Sequence, residues 1–150
     1  MNMQGYGVMK VKKRLIVLGV ITMLFITLFV VSASADTHPD TLVGNTFGSG
    51  CSWGITDDNV LYIWPTNGVS CTLPSNNGPS YSFWPWKNSA SSVVRAVVES
   101  GVIGADSCGY LFYGLQNATS IDLSGLDTSN VTHMGSMFEE CRSLVSLDLS

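Results

Sequence analysis

Residues 110–124 (YLFYGLQNATSIDLS) return 26 positions later as residues 136–150 (SMFEECRSLVSLDLS). Leu111 and Phe112 fall on Met137 and Phe138, Leu115 on Cys141 and Ala118 on Leu144, while Ile121-Asp122-Leu123-Ser124 falls on Leu147-Asp148-Leu149-Ser150. A repeat of this length is the mark of a solenoid, in which each unit is one turn of a coil that cannot bury its apolar face alone.

Two hydrophobic rhythms share the period. Residues 120–124 (SIDLS) alternate polar and apolar, which sends Ile121 and Leu123 to one side of a strand and Asp122 to the other. Met134, Met137, Phe138 and Cys141 are spaced i, i+3, i+4, i+7, and Cys108, Leu111, Phe112 and Leu115 show the same spacing one coil earlier. That spacing predicts a helical stripe in each coil. Asp106 and Thr132 stand at equivalent places just ahead of the stripes and are expected as helix caps.

Residues 126–150, LDTSNVTHMGSMFEECRSLVSLDLS, resemble the repeat of the BspA-type leucine-rich-repeat surface proteins of bacteria, whose unit reads roughly LDLSNFDTSNVTNMSGMFSGCSSLTS. The resemblance covers about residues 105–150, and CSWGITDDNVLYI and WPW upstream resemble that family's N-terminal segment more loosely. Leu115 stands where the family usually has cysteine, and Glu139 and Glu140 replace small residues. The rhythms and the resemblance together give the expected fold class: an α/β leucine-rich-repeat solenoid of strand–helix coils, preceded by a small β-rich N-terminal cap.

The N-terminus reads differently from the rest. Lys10, Lys12, Lys13 and Arg14 precede a 17-residue apolar run, residues 15–31, and Ala33-Ser34-Ala35 fits a small-residue cleavage site. Residues 1–35 are therefore expected to be a secretory signal peptide, with an uncleaved membrane anchor as the alternative because the run approaches bilayer-spanning length. Met9 opens a start as sufficient as Met1. Beyond residue 35 only Lys87, Arg95 and Arg142 face 11 acids, a net charge of −8. No basic patch is left to neutralise phosphates, so nucleic acid and anionic membrane surfaces are not expected partners.

Residues 36–91 are expected to hold a polar linker, to about Asn45, and the β-rich cap. In the cap, residues 52–63 (SWGITDDNVLYI) read as a hairpin turning at Asp57-Asp58-Asn59, and residues 66–82 read as a loop. Residues 92–150 are expected to form the solenoid. Its first strand lies within residues 92–98, where a shift of 25 lays Ala96 and Val98 on Ile121 and Leu123. The last strand stops at Ser150 without a polar cap, which makes the sequence an expected N-terminal piece of a longer array.

Four cysteines in an exported chain raise the question of disulfides. Cys108 and Cys141 both point inward, one coil and seven helical positions apart, about 10 Å of rise and beyond the roughly 7 Å limit for a bridge. Cys51 and Cys71 remain, either bridged or as two free thiols. Neither a CxxC spacing nor a histidine pair is present, and no base and orienting acid are placed beside a nucleophile, so neither a cofactor or metal nor an enzymatic activity is expected.

Two surfaces are candidates for binding. The strands point Ser120, Asp122 and Ser124, then Ser146 and Asp148, away from the core as a ladder of small polar groups. At about 4.8 Å between strands, Asp122 and Asp148 repel by roughly 0.8 kcal/mol in water. Trp84 and Trp86 are candidates for a plug on the open solenoid end or, alternatively, for an aromatic platform that stacks on sugars. The resemblance implies a noncatalytic secreted or cell-surface protein of adhesin type that binds a protein or glycan. The alternatives are a spacer array carrying a further enzymatic or wall-anchoring domain, and a carbohydrate-binding module.

The signal reading has a direct test. Mass spectrometry of the exported chain should find a mature N-terminus at Asp36; a membrane-embedded product that keeps residues 15–31 establishes the anchor instead.

Overall fold

The computed structural model describes residues 41–78 and 80–149, so the signal-peptide reading and Ser150 lie outside the described residues. Among the described residues nine strands build two sheets. β1 (Thr41–Phe47), β2 (Cys51–Thr56) and β3 (Val60–Pro65) form an antiparallel meander, to which β5 (Arg95–Val98), β7 (Ser120–Asp122) and β9 (Ser146–Asp148) add in parallel. β4 (Cys71–Thr72), β6 (Val102–Ile103) and β8 (Leu126–Asp127) make a second, three-stranded parallel sheet.

Local chemistry explains the meander. Asn59 adopts φ 63°, a left-handed conformation that asparagine tolerates, and its amide closes the turn onto the Thr56 carbonyl at 3.0 Å. The buried Thr56 hydroxyl bonds the Asp58 carboxylate and accepts the Val60 amide at 3.1 Å. The expected hairpin is thus β2–β3. The expected linker is shorter than the sequence suggests, because its last part enters β1 and pairs with β2.

From β3 onward each coil rises by one strand. Ala96 lies beside Leu61, Ile121 beside Ala96 and Leu147 beside Ile121, all on the inner side. The first three are buried, whereas Leu147 is 36% exposed. The same decline runs from Phe112, fully buried, to Phe138, half-buried. Side chains at one position differ in burial because each coil is covered only by its neighbours. Gly125 marks a close contact between coils: a Cβ there would stand 2.4 Å from the Val98 carbonyl oxygen.

The expected strand–helix coils do not form among the described residues. Among the described residues the helical content is one six-residue 3-10 helix, Lys87–Ser92, and no helix is long and apolar enough to cross a membrane. Both stripes form series of turns. Tyr110 (φ 59°) and Gly114 (φ 77°) are left-handed, as are their counterparts Ser136 (φ 55°) and Glu140 (φ 64°), and an α-helix has no place for such residues. Amide direction tells the same story. The Cys108, Tyr110, Phe112 and Gly114 amides donate to the carbonyls of His133, Gly135, Met137 and Glu139 in the next coil at 2.9–3.0 Å. Those of Leu111, Tyr113 and Leu115 close turns on the residue three positions back at 3.1–3.4 Å.

Packed helices need 8–10 Å between axes, but strands stand 4.7–4.9 Å apart. A wall of turns that shares hydrogen bonds from coil to coil keeps the spacing of the sheet, which a helix does not. The stripe nonetheless marks the correct buried face: Cys108, Leu111, Phe112 and Leu115 are each fully buried. Asp106 and Thr132 consequently cap no helix. The Asp106 carbonyl accepts the Thr132 and His133 amides at 2.8 and 3.1 Å and the Thr132 hydroxyl at 3.0 Å, one more link between coils.

Packing sets the stability scale. Phe112→Ala should cost about 3–5 kcal/mol, and Phe138→Ala less because its ring is only half covered. The exposed His133→Ala should stay within about 0.5 kcal/mol. Denaturant titration of the three variants should rank them in that order.

Candidate functional site

The open side of the larger sheet presents two rows of side chains. Arg95, Ser120 and Ser146 are in register along one row, and Val97, Asp122 and Asp148 along the other. Tyr62 of β3 extends the second row. Between the rows runs a shallow groove of about 390 Å³, lined by Arg95, Ser120, Asp122, Ser146 and Asp148 together with Ile121 and Leu147.

Four of the five residues read from the sequence as a face are therefore brought together. Ser124 differs, because β7 ends at Asp122. Its amide and hydroxyl both donate to Asp122 Oδ1, at 3.1 and 2.7 Å, so Ser124 closes the strand end. That pair also turns one oxygen of Asp122 toward its own chain, which weakens the picture of a free carboxylate ladder. Asp127, at the end of β8, does the same with Ser129: hydrogen bonds from the Ser129 amide (2.9 Å) and then its hydroxyl hold the Asp127 carboxyl below the ordinary range.

Arg95 is the residue that reading the ladder from residue 120 onward missed. It puts a cation in the groove with two carboxylates, so the surface is mixed in charge. The signal was present, since the alignment of Ala96 with Ile121 already sets Arg95 over Ser120.

The tryptophans take the other of their two proposed roles. Trp84 and Trp86 are each 1% exposed and stacked on one another at 5.6 Å between centroids. Phe47 and Trp53 meet Trp86 edge-on at 5.5 and 6.0 Å. The indole N–H of Trp84 donates to the Gly109 carbonyl at 2.9 Å, and that of Trp86 to the Leu111 carbonyl at 3.0 Å. Gly109 and Leu111 are the equivalents of Gly135 and Met137, whose carbonyls take backbone amides from the coil before. Two side-chain donors thus replace the backbone donors of a coil that does not precede, and neither ring is open to a sugar.

Cys51 and Cys71 are joined by a disulfide, with 5.1 Å between their Cα atoms, and this ties β2 of one sheet to β4 of the other. Cys108 is a buried thiol and Cys141 a half-buried one. Burial pushes the Cys108 thiol up to about 11, and Cys141 in the same direction, so neither is a ready nucleophile. The described residues contain no group of three or more histidine, cysteine, aspartate or glutamate side chains placed to hold a metal ion.

No family model matches the chain, and no curated protein matches it. Among solved structures it is similar to a leucine-rich repeat protein from Eubacterium ventriosum, at 22% identity and a TM-score of 0.49 over 70% of this chain. The match covers 25% of that protein, so the chain spans about a quarter of its length.

Thiol counting tests the cysteine pattern. Denatured but unreduced protein should titrate two thiols, and reduced protein four. Cys71→Ser should lower stability by about 3 kcal/mol, the chain-entropy value for a loop of this length.

Proposed function

We propose that this chain is a noncatalytic binding protein, exported and displayed at a bacterial cell surface, whose open sheet groove takes a protein partner. The observation that carries the reading is the groove itself: short side chains on adjacent strands, one cation and two carboxylates, with the backbone near the surface. Such a face is accessible to an extended or flat partner and offers it paired hydrogen-bond donors and acceptors. Specificity then comes from matching charges, since Arg95 favours an acid at one end and Asp122 and Asp148 favour a base at the other.

The resemblance of residues 105–150 to the BspA-type repeat supports the adhesin form of this reading, and the signal-like residues 1–35 support its location. The absence of a nucleophile–base arrangement in the sequence speaks for binding without catalysis.

Attachment of the fluorescently labelled chain to cultured epithelial cells provides the test. Asp122→Lys with Asp148→Lys should reduce saturable attachment at least tenfold while the circular dichroism spectrum stays that of the folded chain, and Arg95→Glu should weaken it as well. Attachment that survives all three substitutions removes the groove from the function.

A further inference from the structure

Across the core from the sheet, the wall of turns carries an aromatic cluster that none of the preceding roles uses. Tyr110 and Tyr113 bracket one turn, closed by the Tyr113 amide on the Tyr110 carbonyl at 3.1 Å, and their rings meet at 5.7 Å. Tyr81 reaches the same place from the cap loop and lies 5.3 Å from Tyr113, its plane tilted by 31°. Phe83 stands edge-on to the buried Trp84 at 5.0 Å. Tyr81 is 58% exposed and Phe83 42%, so both rings are accessible to solvent.

The loop that bears them is anchored. Asn76, 4% exposed, donates through Nδ2 to the Ser80 carbonyl at 3.1 Å and to the Gly109 carbonyl at 2.9 Å. The Phe83 amide returns to the Ser80 carbonyl at 3.3 Å, and Trp84 is locked in the core by its own hydrogen bond to Gly109. Buried groups on either side of Tyr81 therefore hold an exposed ring against Tyr113, an arrangement built at some cost in ring exposure.

The rim is acidic. The Gly114 amide donates to the Glu139 carbonyl at 3.0 Å, which brings Glu139 and Glu140 of the next coil beside Tyr113. Partial desolvation, and then the field of Glu139 and Glu140, raise the Tyr113 phenol above its ordinary range. Arg142 holds Glu140 at 2.5 Å, so Glu139 is the carboxylate to vary. Ring faces carry negative electrostatic potential, and carboxylates beside them add to it.

We infer that Tyr81, Tyr110 and Tyr113, rimmed by Glu139, form a second binding site that takes the lysine and arginine side chains of a basic polypeptide. Charge decides the occupant: the patch couples π faces to carboxylates on a chain whose residues 36–150 carry a net charge of −8. A cation gains from both elements, whereas an acidic or neutral partner gains from the ring area alone. The site is independent of the sheet groove and uses none of its residues.

Fluorescence anisotropy of a labelled decalysine peptide on the full chain tests it, with the fully Nε-acetylated peptide as the neutral counterpart. Decalysine should bind and the acetylated peptide should not. Tyr81→Leu, which keeps apolar area and removes the π face, and Glu139→Gln should each weaken binding about 3- to 5-fold, the range of one exposed cation–π or ionic contact. Asp57→Asn, which removes the same charge at the β2–β3 turn, should change it less than about 2-fold. No decalysine binding, equal binding of the acetylated peptide, undiminished binding by Tyr81→Leu, or an equal loss in Asp57→Asn would each overturn the inference.

Discussion

Backbone hydrogen bonding from one coil to the next is the interaction on which the rest of this molecule depends. It runs on three sides of the coil at once: along the larger sheet, along the short strands of the smaller one, and along the wall of turns, where alternate amides from Cys108 to Gly114 reach the carbonyls of His133 to Glu139. Peptide groups buried between coils have no access to water, so each needs a partner in the neighbouring coil. That requirement fixes the rise per coil at the spacing of strands and sets the register of the whole stack.

A stack of this kind needs an ending, and the N-terminal end has one with two components. The antiparallel meander β1–β2–β3 covers the first parallel strand, and the Trp84–Trp86 pair covers the core while its indole N–H groups satisfy the carbonyls of Gly109 and Leu111. Pro85, between the two tryptophans in sequence and exposed, has no amide and so leaves no donor unpaired there. The disulfide between Cys51 and Cys71 then ties the two sheets together at the same end. Rings that on the sequence alone suit a plug or, alternatively, a sugar platform are thus consumed by a structural demand for apolar cover and for donors.

The two surfaces left over divide by chemistry. The sheet offers short polar side chains of mixed charge in two ordered rows, while the wall of turns offers tyrosine faces beside carboxylates. Both arise from the same stacking, because a side chain at one repeat position stands beside its equivalent in the next coil. On the sheet Ser120 and Asp122 repeat as Ser146 and Asp148, whereas the tyrosine cluster comes from residues that do not repeat: Tyr110 and Tyr113 are replaced by Ser136 and Glu139 one coil later.

The sequence by itself determined the repeat, the inward positions Ile121, Leu111, Phe112 and Leu115, the turn at Asp57–Asn59, and the alignment of Ala96 with Ile121. These are local patterns of apolar and turn-forming residues, and local patterns are what a linear chain displays. The conformation of the outer stripe was decided only in the tertiary structure. A spacing of i, i+3, i+4, i+7 identifies a buried face equally for a helix and for a series of turns; what separates them is whether an amide finds its acceptor four residues back or in the next coil. The same holds for β4, β6 and β8, two residues each and too short to show any alternation, and for Tyr81 against Tyr113, brought together only by a loop that Asn76 pins to the following coil. Contacts between coils are long-range, and their geometry exists only once neighbouring coils are stacked.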